Sequence, residues 1–194
     1  MTSKGIMIAS ASASAPASFA TKVAAAPGSP GLHAIPTGSW TIYVHEPDDK
    51  SWTSDSYKRI SPVSSWELLG SVLRELGTHR ITNGMMFGMR GDTSPLWENS
   101  ANIRGGSYCI KVNRRNAGEL YQLYLAAAAS GAATTDPVAN PIVGVTMSPK
   151  KGFCIIKLWN ANAKAFKNPS DIVILHDDIK VDEILYRPHT DQKM

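Results

Sequence analysis

Ile142-Val143-Gly144-Val145-Thr146-Met147, Ser148-Pro149-Lys150-Lys151-Gly152, Phe153-Cys154-Ile155-Ile156-Lys157-Leu158-Trp159: two apolar, β-branched runs joined by five turn-type residues read as an antiparallel hairpin. Working outward, Trp40, Ile42 and Val44 alternate with Thr41, Tyr43 and His45, a strand with one apolar face that Pro47-Asp48-Asp49-Lys50-Ser51 then breaks. Shorter runs at Tyr57 to Ile60, Met85 to Met89, Tyr108 to Val112 and Ile172 to Leu175 predict further strands. Short links between many strands favour antiparallel pairing.

Two helices interrupt this pattern. Ser64 to Gly77 opens on Ser64 with Glu67 three residues on, a capping box, and Val63 with Leu68 supplies a hydrophobic staple. Leu69, Val72, Leu73 and Leu76 form its core stripe, with Trp66 at the stripe's edge beside Gly70 and Leu73. The second runs from Asn116, with Glu119 completing another capping box, to Gly131; Leu120, Leu123, Tyr124 and Ala127 are expected to face inward. A short turn at Ala161 to Lys167 is stopped by Asn168-Pro169. The fold class is α+β, one antiparallel sheet with helices on one face.

Composition narrows the function. The chain has 194 residues, and Lys+Arg 20 against Asp+Glu 16 gives +4, a mild excess that permits a phosphate-bearing partner. No stretch reaches the ~18 to 20 uninterrupted apolar residues of a membrane span. Two cysteines, Cys109 and Cys154, are too few for a disulfide framework or a structural zinc site and read as buried small hydrophobes. Residues 1–31, rich in Ala, Ser and Pro with only Lys4 and Lys22 charged, read as a disordered tail ahead of a single domain over 32–194. No Arg precedes Arg59, against a transit peptide, and Ile6 to Ile8 is too short for a secretory core, so a cytoplasmic place is expected.

Catalytic signatures do not emerge. There is no G-x-S-x-G elbow, phosphate-binding Gly-rich loop, H-E-x-x-H or G-x-G-x-x-G, and the five histidines lack metal-ligand spacing. Asp177-Asp178 reads as a solvated turn. Neither an enzyme nor a metal or other cofactor is expected. What stands out is Trp52 and Trp97 in turn-rich segments, where an indole either plugs the core edge or waits for a flat ligand. Glu98 adjoins Trp97, and Arg104-Gly105-Gly106 follows.

Pro95-Leu96-Trp97-Glu98, then Asn102, then Arg104-Gly105-Gly106-Ser107-Tyr108 resembles the signature of the messenger RNA cap-binding translation initiation factor 4E family. Lys50-Ser51-Trp52 is similar to that family's first cap-loop tryptophan, Ile60-Ser61 to Trp66 to its first-helix start, and Ile156 to Trp159 to a late core strand. The likeness covers about residues 33 to 175, with a divergence resembling that of a protozoan, kinetoplastid-type paralogue.

The resemblance implies a curved antiparallel sheet with helices on its convex face and the cap on its concave face. Trp52 and Trp97 would stack on 7-methylguanine, gaining stacking of ~1 to 3 kcal/mol per base and a cation–π term of roughly 2. Glu98 would accept hydrogen bonds from the guanine edge, for an affinity near micromolar, about −8 kcal/mol. Arg104, Lys150 and Lys151 would take the phosphates. Ser107, Thr146, Tyr108 and Asn99 depart from the family pattern, which implies a phosphate affinity either weaker or redistributed toward Lys157 or Lys111. Trp66, with Gly70 and Leu73, would dock a helix from a 4G-type scaffold or a competing regulator. The implied role is recruiting capped messages for translation; a cap-binding repressor and a cap or nucleotide hydrolase are the alternatives.

Overall fold

The computed structural model describes residues 32–191; the expected tail over 1–31 lies outside them. Seven strands, β1 (Trp40–His45), β2 (Tyr57–Val63), β3 (Met85–Arg90), β4 (Gly106–Asn113), β5 (Ile142–Pro149), β6 (Phe153–Asn160) and β7 (Leu185–Pro188), form one sheet in the order β2-β1-β3-β5-β6-β4-β7. Every neighbouring pair is antiparallel. The hairpin expected over 142–159 is present, with Met147 opposite Ile156 and Pro149 opposite Cys154.

Two α-helices, α1 (Trp66–Asn83) and α2 (Ala117–Ser130), cover one face of the sheet. Leu69, Val72, Leu73, Leu76 and Ile81 of α1 meet Ile42, Val44 and Met86 of the strands, and Leu120, Tyr121, Tyr124 and Leu125 of α2 share that core. The opposite, concave face carries a smaller cluster, Phe87, Met89 and Trp159, on which Tyr43, Tyr57, Met85, Trp97 and Val143 pack. The α+β architecture is as expected, and the curved sheet leaves its concave face free of helices.

Local details differ from the sequence reading for identifiable reasons. The cap of α1 is Ser65, whose hydroxyl accepts from the Leu68 amide at 3.3 Å. Glu67 does not close a box on Ser64, because His33 takes its carboxylate through both backbone N–H and Nδ1. Gly77 kinks α1 at φ 71° without ending it, and helical structure resumes to Asn83. Asn116 precedes α2 but makes no side-chain cap; its amide donates to Asp178. The buried stripe of α2 is rotated, so that Tyr121 and Leu125 face inward while Leu123 stays 42% exposed. Gly88 permits this, since a Cβ there would meet Leu125 Cδ1 at 2.5 Å.

The segment Ile172 to Leu175 is not a strand. Ile172 makes an isolated bridge to Thr134, and the seventh strand is Leu185–Pro188 on the far edge against β4. Four residues containing Arg187 and Pro188 gave no apolar alternation to find. The turn at 161–167 carries no helix; the Asn162 side chain ties it by accepting from the Lys164 and Ala165 amides.

Candidate ligand-binding cleft

Strand alternation builds the site. In register across the sheet lie Thr41, Met89, Gly144, Trp159, Ser107 and Arg187, and one step along lie Tyr43, Phe87, Thr146, Lys157, Cys109 and Leu185. Alternate residues share a face. Most of these line a cleft of about 790 Å³, closed on one side by the loop holding Pro95, Leu96, Trp97 and Glu98 and on another by Trp52.

The Trp97 loop is pinned from behind. Asn102, wholly buried, donates its amide to the Ser94 and Leu96 carbonyls at 2.9 and 2.7 Å. Its own backbone carbonyl accepts from His189 Nδ1 at 2.7 Å, which leaves Nε2 to accept from the Ser107 hydroxyl at 2.9 Å. Burial holds the His189 imidazole below its usual range, with the Asn102 carbonyl opposing and the Lys157 charge adding to the drop. The two glycines of Arg104-Gly105-Gly106 are required by contact: a Cβ on Gly105 would fall on the Asn160 carbonyl, and one on Gly106 on the Tyr186 hydroxyl. Trp97 is half-buried and packs on the Phe87, Met89 and Trp159 cluster.

Trp52 is held differently. His45, fully buried at the end of β1, stacks on its indole with ring centroids 4.3 Å apart and planes 7° from parallel. His45 Nε2 bonds the Ser51 carbonyl at 2.8 Å, so Nε2 carries the proton and Nδ1 is buried without a partner. Tyr57 stands edge-on to Phe87 at 5.1 Å and tilted against Trp52 at 6.4 Å. Its hydroxyl is pushed up to about 12, by burial first and then by the negative charge of Glu98. The Glu98 side chain lines the same cleft, and among the described residues it has no ion-pair or side-chain hydrogen-bond partner.

Of the residues picked from sequence, Trp52, Trp97, Glu98, Lys150 and Lys157 all line this cleft. Arg104 and Lys151 do not; both are exposed, Arg104 beside Gly105 and Lys151 at the hairpin tip. Thr146 is in the lining, whereas Ser107 is buried against His189. Cys154 is a buried core residue, but Cys109 is only partly covered and faces the cleft. Sequence reasoning missed Tyr57, Phe87, Trp159 and Arg187 as lining residues. The signal for the first three is period-2 alternation, which places them on the strand face opposite the core.

On the helical face, Gly70 and Leu73 line a shallow groove of about 400 Å³ with Arg74, Gly77, Thr78, Ile81 and Gln122. Trp66 is outside that lining, half-buried and packed on the main core. Among the described residues, no group of three His, Cys, Asp or Glu could hold a metal ion, and no helix is long and apolar enough to cross a membrane.

The protein is thus of the class of helix-backed antiparallel sheets whose open face carries an aromatic cleft, one free acid and several cations. A family model for Eukaryotic initiation factor 4E matches residues 37–193, and the chain belongs to that family. It is similar to the translation initiation factor 4E of Candida glabrata, 29% identical over 126 residues; the match spans 62% of this chain and 59% of that relative. The fold is that of Ascaris suum eIF4E-3, solved with m7G cap, at TM-score 0.58 and 18% identity over 70% of this chain and 77% of that one. Schistosome eIF4E, solved with m7GpppA and 4E-BP, matches at TM-score 0.62 and 21% identity over 70% and 75%.

Proposed function

We propose that this protein binds the 7-methylguanosine 5′ cap of messenger RNA and recruits capped messages for translation initiation, without catalysing a reaction. The observation that carries the reading is the convergence of Trp52 with the sequence-distant pair Trp97 and Glu98 on one cleft. Methylation at N7 places a positive charge on guanine, so an indole on each side gains stacking plus cation–π attraction, and unmethylated guanine forfeits the second. Glu98, an unpaired acceptor among the described residues, suits the adjacent N1–H and 2-amino donors of guanine, whereas adenine has an acceptor at N1. Lys150 and Lys157 supply charge for the phosphates. Family membership and the cap-bound relatives point the same way.

The groove beside Gly70 and Leu73, with Trp66 at the start of the same helix, is the surface for a partner helix from a scaffold protein or a competing regulator. The relative solved with 4E-BP supports that assignment. Titrating intrinsic tryptophan fluorescence with 7-methylguanosine triphosphate and with guanosine triphosphate tests the pocket: strong quenching by the methylated form alone is expected, and Trp97→Ala should abolish it. Equal responses to both nucleotides, or an unchanged Trp97→Ala, would reject the reading.

A further inference from the structure

The cations of the cleft are not where a loop-borne phosphate site would put them. Arg187 on β7 lies directly across from Ser107 on β4, Lys157 on β6 lies across from Cys109, and Lys111 is the next β4 residue on that face. All three line the cleft, and among the described residues none has a carboxylate within ion-pair distance. The β4 positions 107, 109 and 111 step by about 7 Å, so the long side chains on this face and its neighbours share one stretch of the cleft floor. By contrast, only Lys150 of the hairpin tip reaches the cleft.

Four further observations agree. Ser107 is committed to His189 and offers no charge, so at that level of the floor Arg187 is the cation. The Cys109 thiol, raised by burial, is pulled the other way by the fields of Lys157 and then Arg187, so both charges converge over it. Lys111 is held over the Phe153 ring, its ammonium 5.0 Å from the centroid. Glu183, the acid at this end, sits 3.7 Å from Lys180.

We propose, resting on the cap-binding reading, that the polyphosphate bridge of the ligand crosses the sheet floor above Cys109 between Arg187, Lys157 and Lys111. Arg187, from the edge strand that sequence reasoning missed, is its principal ligand. A guanidinium can grip a phosphate through two parallel N–H bonds, which an ammonium cannot.

The test uses the full chain as wild type, Arg187→Ala and Arg187→Lys, titrated with 7-methylguanosine and with 7-methylguanosine triphosphate at low and high salt. Arg187→Ala should weaken the triphosphate about tenfold and lower its salt slope by about one, leaving the nucleoside unchanged. Arg187→Lys should recover part of the loss. In the wild type, the triphosphate but not the nucleoside should slow alkylation of Cys109 by iodoacetamide, read on the Cys109 peptide. Triphosphate affinity within twofold of wild type in Arg187→Ala, or Cys109 alkylation indifferent to the triphosphate, would overturn the proposal while leaving cap binding standing. A wild type that binds neither ligand would overturn both readings.

Discussion

His45 and Trp52 form a stacked pair, planes 7° from parallel, in which the histidine is fully buried and the indole 54% exposed. The histidine acts as a fixed backing that presents the free face of Trp52 to the cleft. An aromatic pair of this kind is worth about 0.5 to 1.5 kcal/mol beyond burial. His45→Ala should therefore loosen Trp52 and weaken 7-methylguanosine triphosphate by about threefold to tenfold. His45→Phe, which keeps a flat ring and removes the unpartnered Nδ1, should stay within about twofold of wild type by the same fluorescence titration.

Glu98 offers a cleaner separation of binding from folding. Its side chain is exposed and has no partner among the described residues. Glu98→Gln should then move stability by no more than about 0.5 kcal/mol in urea denaturation. The same change should cost the methylated cap about tenfold to a hundredfold, because the bonds it would accept are charge-assisted. Equal loss of stability and affinity would show that Glu98 serves the loop and not the ligand.

His189 ties β7 to the Trp97 loop, and its depressed imidazole makes that tie pH-dependent. The folded state binds the proton less readily than the unfolded chain, so the stabilisation is fully present above the ordinary value near 6.5. It is lost as pH falls below that value, at no more than about 1.4 kcal/mol per pH unit for one proton. The melting temperature should decline from pH 7 toward pH 5, and His189→Gln should flatten that decline. A profile in which wild type and variant run parallel would remove His189 as the source.

How much of this was legible in the chain depends on what each feature needs. The hairpin around Lys150 and Lys151 was readable because turn residues and alternation are local. Trp52, Trp97 and Glu98 were readable because aromatics in turn-rich loops are unusual and their spacing resembles a known family. Arg187 was not: its place is set by β7 pairing with β4 across a long separation, and a four-residue edge strand has almost no pattern of its own. Similarly, the rotation of α2 that buries Tyr121 and leaves Leu123 in solvent depends on Gly88 opposite it, a tertiary contact that no helical wheel contains. That Ser65 and not Ser64 caps α1, and that Glu67 pairs with His33 from outside the helix, are likewise features of the folded chain.

Gly105 links the signature motif to packing. With Cβ space occupied by the Asn160 backbone carbonyl, Gly105→Ala must shift the Trp97 loop or β6, neither of which can yield as a flexible side chain would. A loss of about 1 to 3 kcal/mol or more is expected from such overpacking. Cap affinity should fall with it, because Gly105 also bonds Asn102, which pins Ser94 and Leu96. Chemical denaturation and cap titration of the same variant measure both effects.

The two faces of the sheet should be separable by one substitution on the helical side. Gly70 of α1 is half-buried, and a Cβ there would meet only Arg74 Nη1 at 3.7 Å. A larger side chain is therefore tolerated by the fold, and replacing glycine inside a helix gains up to about 1 kcal/mol. It would, however, fill the groove shared with Leu73, Gly77 and Ile81. Gly70→Arg should thus leave retention on 7-methylguanosine resin intact and raise stability slightly, while reducing capture of a helical partner peptide more than tenfold. Trp66→Ala should act in the same direction but at some cost in stability, since its ring packs on the main core. If Gly70→Arg binds partner peptide as wild type does, the groove is not the docking surface. If it loses the cap as well, the helical and concave faces are coupled through the strands that separate them.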